Sequence, residues 1–193
     1  MGHETVTRGA GGLVCAALVS LALAGCGGGA RDAALSESQL QADYRGAPAT
    51  LAALFAGRNK LLRGGAAAFE RELRRLRGRP VVVNTWASWC QNCVTEFSIF
   101  QRVAPRYGRT VAFVGDDVEG ATAGHGWLAR YPLSFPSFSD PSESIDRAIG
   151  AATASYAPVT YFYDRHGKEV YFHFGPYLSA ASLEHDIRLY LGA

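Results

Sequence analysis

Two cysteines separated by two residues, Cys90 and Cys93, are the residues whose types and spacing most clearly carry chemistry. They follow the β-branched apolar run VVVNTW at 81–86 and precede a stretch with helical periodicity, which places Cys90 at a helix N-terminus. Unpaired backbone N–H groups and the helix dipole favour a thiolate there. In Cys-x-x-Cys motifs the thiol pKa falls from about 8.5 to between about 3.5 and 7.5. Such a thiolate attacks a disulfide, and Cys93, one helical turn on, then reaches Cys90 and releases the product.

Two other uses of this cysteine pair are weaker. A zinc site needs four ligands, and the sequence contains no second pair, while the histidines are scattered without ligand spacing. These histidines are His125, His166, His173 and His185. A purely structural disulfide across so short a loop would restrict the unfolded chain little. We therefore expect no metal and no cofactor beyond the redox pair itself.

The N-terminus carries an apolar run of about a dozen residues, 13–24, which is short for a bilayer span but suits the core of a signal peptide. It ends in Leu23-Ala24-Gly25-Cys26, which resembles the bacterial lipoprotein processing site, where the cysteine is acylated. The alternatives are a chance cysteine after a plain secretion signal, or an anchor that is never cut. We expect a signal peptide at 1–25, a lipidated Cys26 with a flexible tether at 26–47, and a folded domain at 48–193.

The cysteine count and the composition agree with a single redox domain. Of four cysteines, Cys15 would leave with the signal peptide and Cys26 would carry lipid, so only the pair at 90 and 93 remains. Hydrophobic residues make up 48% of the 193 residues, enough for a core, and the net charge is only +2. Without a basic stripe interleaved with aromatics, no nucleic-acid partner is expected. We expect a monomer.

Alternating helix and strand patterns predict a layered α/β domain. The pattern indicates a polar turn region at 116–126, followed by a helix end at 126–131. The other predicted helices cover 48–57, 66–77, 94–107, 142–149 and 179–191, and the predicted strands cover 59–63, 81–86, 110–114, 135–138, 159–163 and 168–174.

The segment VVVNTWASWCQNC, residues 81–93, resembles the active-site segment of the thioredoxin superfamily. Asn84, Glu96, the segment FPSFSD at 135–140 and the segment APVTYFYDRHGKEV at 157–170 resemble its membrane-anchored TlpA/ResA-like branch. The likeness extends over residues 65–192. It implies a thioredoxin-like fold: a central mixed sheet flanked by helices, with an α/β insertion at about 116–150 before the cis-proline strand. The site then lies at the carboxyl end of the 81–86 strand.

The resemblance also implies roles around the cysteines. Pro158 corresponds to the cis-proline of the superfamily, and cis bonds cost little only before proline. The Ala157–Pro158 backbone would pair with the substrate chain by strand addition. Glu119 stands near an acidic position of the branch.

Four further features have their own interpretations. Trp89 is predicted to form apolar contact surface beside Cys90, and Trp86 to lie in the core. Glu96 is either a proton relay for Cys93 or an exposed helix carboxylate. Asn84 cannot titrate. The arginines of ERELRRLRGR, residues 70–79, form a solvated helix face or contact acidic lipid headgroups.

The resemblance implies a thiol–disulfide oxidoreductase on the outer face of the cytoplasmic membrane. Its leading function is reduction of disulfides in exported proteins, of the cytochrome c maturation type, with electrons from a membrane thiol donor. The first alternative is a disulfide oxidase that uses the same pair. The direction of electron flow depends on the reduction potential, and about 30 mV corresponds to about 1.4 kcal/mol, which a few hydrogen bonds could supply. A copper metallochaperone is the second, although such chaperones of this superfamily space their cysteines by three residues.

Overall fold

A computed structural model describes residues 1–2, 36–149 and 157–193 of the chain, and Asp32–Ala193 forms one compact unit. The helices are α1 Glu37–Asp43, α2 Ala49–Ala56, α3 Gly65–Arg75, α4 Gln91–Tyr107, α5 Ala121–Arg130, α6 Ser144–Ala148 and α7 Ala180–Leu191. The strands are β1 Leu61–Leu62, β2 Val81–Trp86, β3 Ala112–Asp117, β4 Ser137–Ser139, β5 Val159–Tyr163 and β6 Glu169–Phe174. No helix within the described ranges is long and apolar enough to cross a bilayer.

The strands form one mixed sheet in the order β1-β4-β3-β2-β5-β6. The first four of these are mutually parallel, whereas β5 runs antiparallel to β2 and β6 antiparallel to β5. The carboxyl ends of β1 to β4 therefore share one edge of the sheet, which we call the carboxyl edge, and the opposite edge is the amino edge. The predicted thioredoxin-like fold, a mixed sheet flanked by helices, is confirmed.

Alternation along β2 and β3 builds a core on each face of the sheet. Val82 and Phe113 point into the cluster beneath α4 and α7, where Phe97 and Phe100 supply most of the aromatic contacts. Val83 and its neighbours face the second cluster beneath α2 and α3. All six residues of β2 are buried, as expected for a strand covered on both faces.

Two sequence predictions, for residues 26–47 and 116–126, are corrected by the structure. The tether assigned to 26–47 does not extend that far, because residues 37–43 form helix α1. Ser36 and Gln39 cap this helix reciprocally, and the Tyr44 ring after it stacks on Phe55 at 4.0 Å. The packed domain therefore begins at about Ser36 rather than at residue 48. Cys15, Cys26 and the apolar run lie outside the described residues.

The polar turn predicted at 116–126 is also wrong. Strand β3 continues through Asp116 and Asp117, which are buried and pair in register with β2, and helix α5 then begins at Ala121. The insertion predicted at about 116–150 is present as α5, β4 and α6, up to residue 149. Its strand β4 joins the central sheet between β1 and β3.

Candidate active site

The two cysteines stand where β2 passes into α4, at the carboxyl edge. Cys90 is the N-cap residue of α4, and its Sγ accepts a hydrogen bond from the Cys93 backbone N–H at 3.1 Å. The two side chains form a disulfide with an S–S distance of 2.10 Å, and Cys90 is slightly exposed whereas Cys93 is fully buried. Once reduced, Cys90 would face the unpaired N–H groups of a 17-residue helix. This placement favours ionisation of the Cys90 thiol.

The segment predicted to hold a cis-proline lies against the same edge. The Ala157–Pro158 bond is cis, so that prediction is confirmed. Val159 follows at once and pairs with Thr85 of β2, and the Pro158 carbonyl accepts a hydrogen bond from the Gly175 N–H at 3.0 Å. The start of β5 is therefore brought beside the end of β2 from which the cysteine loop departs.

The two tryptophans have opposite environments. Trp86 is fully buried, packs edge-on against Phe97 and donates from Nε1 to the Ser137 hydroxyl at 3.1 Å, so its assignment to the core is confirmed. Trp89 keeps 56% of its surface exposed directly before Cys90. Its role as contact surface for a substrate stays a prediction.

Glu96 lies on the buried face of α4, one turn after Cys93, so the exposed-carboxylate interpretation is wrong. One carboxylate oxygen accepts a short hydrogen bond from the Asn84 side-chain amide, and the other accepts the Tyr177 N–H at 2.9 Å. Burial raises the pKa of Glu96 to about 8, although both hydrogen bonds act in the opposite direction. Glu96 therefore holds a proton at neutral pH.

Asn84 joins three elements beneath the cysteine loop. It is buried in β2, and its amide nitrogen also lies 3.3 Å from the hydroxyl of Thr160 on β5. Among the described residues, its carbonyl oxygen has no hydrogen-bond partner. An amide flip, which exchanges this oxygen with the nitrogen, would bring the oxygen to the Glu96 carboxyl as an acceptor for the Glu96 proton.

Glu119, the loosest of the sequence assignments, is brought to the site. One of its carboxylate oxygens accepts the backbone N–H of Ser88 at 2.8 Å, two residues before Cys90. This bond ties the segment after β3 to the cysteine loop. The contact is structural, and a role for Glu119 in proton transfer stays a prediction.

Two features near the site were missed from the sequence. Tyr177 is buried, its hydroxyl donates to Asp186 at 2.6 Å, and its ring stacks on His173 at 4.1 Å, which fixes the N–H that reaches Glu96. Asp116 is fully buried on the opposite sheet face, and neither of its carboxylate oxygens has a hydrogen-bond partner within the part of the chain that the structure describes. Burial and nearby acids, above all Asp146, raise the pKa of Asp116 well above its usual range.

Within the described ranges, no group of three or more His, Cys, Asp or Glu side chains could hold a metal ion. The predicted absence of a cofactor remains a prediction.

Comparison with known proteins identifies a matching family and relatives of similar sequence. The AhpC/TSA family model matches residues 62–171, which is more than half of the chain. ResA, a thiol-disulfide oxidoreductase of Bacillus cereus, is 29% identical over 103 residues, covering 51% of this chain and 57% of the relative. The chain thus spans little more than half the length of the curated relatives it matches.

Two solved structures share the fold. DsbF of MTB, determined in mixed oxidised and reduced forms, is 27% identical with a TM-score of 0.52, covering 58% of this chain and 81% of DsbF. A thiol:disulfide interchange protein of the thioredoxin family from Chlorobium tepidum is 24% identical with a TM-score of 0.51, covering 62% of this chain and 84% of that protein. With the Cys-x-x-Cys pair at the start of α4 and this match over most of the sheet, the chain belongs to the AhpC/TSA family of thioredoxin-like proteins.

Proposed function

We propose that this chain is an extracytoplasmic thiol–disulfide oxidoreductase that reduces disulfides in exported proteins, of the cytochrome c maturation type. The observation that carries the proposal is the Cys90–Cys93 pair at the N-terminus of α4, with a buried, protonated carboxyl one turn behind it. The names of the ResA relatives support the chemistry. The direction of electron flow, the location and the clients are part of the proposal.

The reaction would proceed by two thiol–disulfide exchanges. The Cys90 thiolate attacks one sulfur of the client disulfide, so a mixed disulfide forms and the other client sulfur leaves as a thiolate that takes up a proton. The Cys93 thiolate then attacks the Cys90 sulfur, which closes the Cys90–Cys93 disulfide and releases the second client thiol. The client gains two electrons and this chain loses two, which a membrane thiol donor would restore.

In this scheme the ionised form of Glu96, a minor fraction at neutral pH because its pKa is about 8, would accept the proton that Cys93 must lose before its attack. Proton transfer costs least when donor and acceptor have similar proton affinities. The pKa of Glu96 is raised to about 8, close to the value of about 8.5 for a free thiol. Cys93 and Glu96 lie three residues apart on the buried face of α4, and residues at this spacing are neighbours on a helix. Asn84, which does not titrate, would hold the Glu96 carboxyl in place.

The substrate would approach over the exposed Trp89 and the Ala157–Pro158 segment. Trp89 offers an apolar face beside Cys90, and Ala157 precedes the start of β5 at the same edge. A client segment could add to this backbone as an extra strand, which would bring its disulfide to Cys90. Lipidation at Cys26 would keep the domain at the outer face of the membrane.

Trapping the client tests the proposal most directly. Cys93→Ser should accumulate a mixed disulfide on Cys90, because the second exchange cannot occur. The double variant Cys90→Ser/Cys93→Ser is the matched control and should trap nothing. Cys90→Ser should also abolish reduction of insulin disulfides. Full turnover without Cys90 would exclude this mechanism.

Two further measurements test the remaining parts of the proposal. Equilibration in glutathione buffers gives the potential of the Cys90–Cys93 pair, and a reductase requires a pair more reducing than its clients. A strongly oxidising potential would favour the oxidase instead. Labelling of cells with radioactive palmitate should mark the chain, and Cys26→Ser should lose the label.

A further inference from the structure

The strand directions place many of the basic side chains at one end of the domain. The starts of β2 and β3, the ends of α3, α4 and α7 and the β5–β6 turn all lie at the amino edge. The Gly78 N–H donates to the Arg165 carbonyl at 2.8 Å, which joins the end of the α3 segment to that turn. We call this region the basic end; it comprises Arg74, Arg75, Arg77, Arg79, Arg106, Arg109, Arg165, Lys168 and Arg188.

The opposite end of the domain is acidic. Besides the buried Asp116, whose pKa is raised well above its usual range, five carboxyl residues lie at or just beyond the carboxyl ends of β3 and β4, on the side of the cysteine loop. They are Asp117, Glu119, Asp140, Glu143 and Asp146. A net charge of only +2 therefore conceals a separation of charge along the strand direction, although Asp164 and Glu169 lie at the basic end and Arg63 and Arg147 at the carboxyl edge.

Stabilisation of helix C-termini explains the position of only some of the basic residues at this end. Arg74, Arg75, Arg106 and Arg188 lie in last helical turns, where they offset the helix dipole, and each is within 4 Å of a glutamate. The rest of the set lies outside helices. Among the described residues, no carboxylate forms an ion pair with Arg77, Arg79, Arg109 or Arg165. Lys168 shares the β5–β6 turn with Asp164, whose pKa is lowered by the Lys168 backbone N–H and by the Lys168 charge. Most of these side chains are exposed, so their charge is available to a partner.

We propose that the basic end is a docking surface for an anionic lipid bilayer, which would turn the Cys90–Cys93 end of the domain away from the membrane. This inference rests on the membrane-anchored location proposed above. The free cations come from three separate segments at one end, an arrangement that fits a broad negative surface better than a single small anion. Each Lys or Arg held near an anionic surface strengthens binding about five-fold. Leu189, 60% exposed near the end of α7, adds an apolar contact at the same end.

A lipid anchor alone would not orient the domain. Ser36 lies ten positions after Cys26, and an extended chain of that length would reach about 33 Å. An anchor at that reach does not by itself select which end of the domain faces the lipid. Attraction between the basic end and the headgroups, together with repulsion of the acidic end, selects the orientation that leaves Cys90 accessible.

Hydrogen–deuterium exchange of the full chain on vesicles tests this orientation. The chain is produced in a host that processes lipoproteins and is placed on phosphatidylcholine vesicles with or without phosphatidylglycerol. We expect backbone amides of 74–80, 106–110 and 164–168 to gain protection only with phosphatidylglycerol. At 1 M NaCl, where the Debye length is about 3 Å, this protection should be lost. Amides around the cysteine loop should show no change.

Matched charge reversals identify the surface. Arg77→Glu/Arg165→Glu should lose the protection, whereas Arg63→Glu/Arg147→Glu, which changes the net charge equally at the carboxyl edge, should keep it. Equal exchange on both vesicle types, or equal loss in both variants, would overturn the docking surface. The anchor is judged separately: failure of the chain to float with pure phosphatidylcholine vesicles counts against lipidation, and failure of the Cys93→Ser trap counts against the reductase.

Discussion

Replacing Glu96 by glutamine should change how the stability of the oxidised domain depends on pH. Glutamine has the shape of a protonated glutamate but cannot ionise. The wild-type carboxyl is buried between α4, β2 and the Tyr177 segment, and burial raises its pKa from 4.5 to about 8. Folding therefore opposes ionisation of Glu96, and the substitution removes that opposition.

The size of the effect follows from proton linkage. Below pH 4.5 the carboxyl is protonated in both the folded and the unfolded chain, so it contributes no pH dependence. Between pH 4.5 and about 8 only the unfolded chain ionises, and each pH unit removes about 1.4 kcal/mol from the free energy of unfolding. The total approaches about 5 kcal/mol, and above pH 8 it no longer grows. Glu96→Gln should recover this amount at alkaline pH.

Urea unfolding followed by circular dichroism at several pH values between 4.5 and 8.5 measures this difference. Other buried acids give the same slope in both proteins, so the difference between the two curves reports Glu96 alone. Glu70→Gln, at an exposed position on α3, controls for the loss of one carboxylate. The difference in free energy of unfolding, Glu96→Gln minus wild type, should have its lowest value at pH 4.5 and increase as the pH rises.

Parallel stability curves for wild type and Glu96→Gln would refute the reasoning. They would mean that Glu96 ionises equally easily in the folded and unfolded chain, so that the hydrogen bonds from Asn84 and Tyr177 fully offset the effect of burial on its pKa. A constant loss of stability at every pH would have a different meaning. It would report an unfavourable contact between the new amide and the Asn84 amide, with the pH slope still distinguishing the two effects.

Three further substitutions probe the core around the site. Asp116→Val should raise the urea midpoint at pH 7 more than at pH 4, because burial raises the pKa of Asp116 and no described residue forms a hydrogen bond with its carboxylate oxygens. Gly115→Ala should lower the thermal midpoint, since its Cβ would lie 2.1 Å from the Ser137 hydroxyl and 2.8 Å from the Trp86 indole nitrogen; an unchanged midpoint would contradict this packing. Phe97→Ala, which removes a buried ring packed on Trp86, should cost about 3–5 kcal/mol in urea unfolding.

Local patterns were enough to predict the elements that carry the cysteines. The apolar run VVVNTW predicted a strand buried on both faces, and the Cys-x-x-Cys motif predicted the start of a helix. Pro158, before β5, matched the cis-proline of the thioredoxin superfamily. Each of these signals depends on residues that are close in sequence. The structure confirms the strand, the helix and the cis bond at Pro158.

Contacts between distant segments could not be predicted. The N–H that reaches Glu96 comes from Tyr177, 81 residues further along the chain. The run from Asp116 to Gly120 has the composition of a turn, and only the pairing of β3 with β2 and β4 explains why its first two residues are buried strand. Helix α1 is different, because the Ser36–Gln39 capping box was a readable signal.

The inward orientation of Glu96 was also readable. On α4, Cys93, Phe97 and Phe100 follow the spacing of one helix face, and Glu96 lies next to that face rather than opposite it. A carboxyl in this position must be paired or protonated. The sequence therefore indicated that Glu96 lies near the buried face of α4. It did not identify the partners that decide whether the carboxyl is paired or protonated.

The last residues of β2 explain why two buried acids can coexist with a thiolate. Asn84 and Thr85 point to opposite faces of the sheet: Asn84 bonds to Glu96 on one face, and Asp116 pairs in register with Thr85 on the other. An ionised carboxylate there would repel the Cys90 thiolate and raise its pKa. Burial raises the pKa of both acids, so each favours its neutral form more strongly than a free carboxyl does, and the backbone N–H groups at the start of α4 favour the Cys90 thiolate. Because ionisation of Glu96 and of the dithiol oppose each other, their protons leave as a coupled set rather than one group at a time.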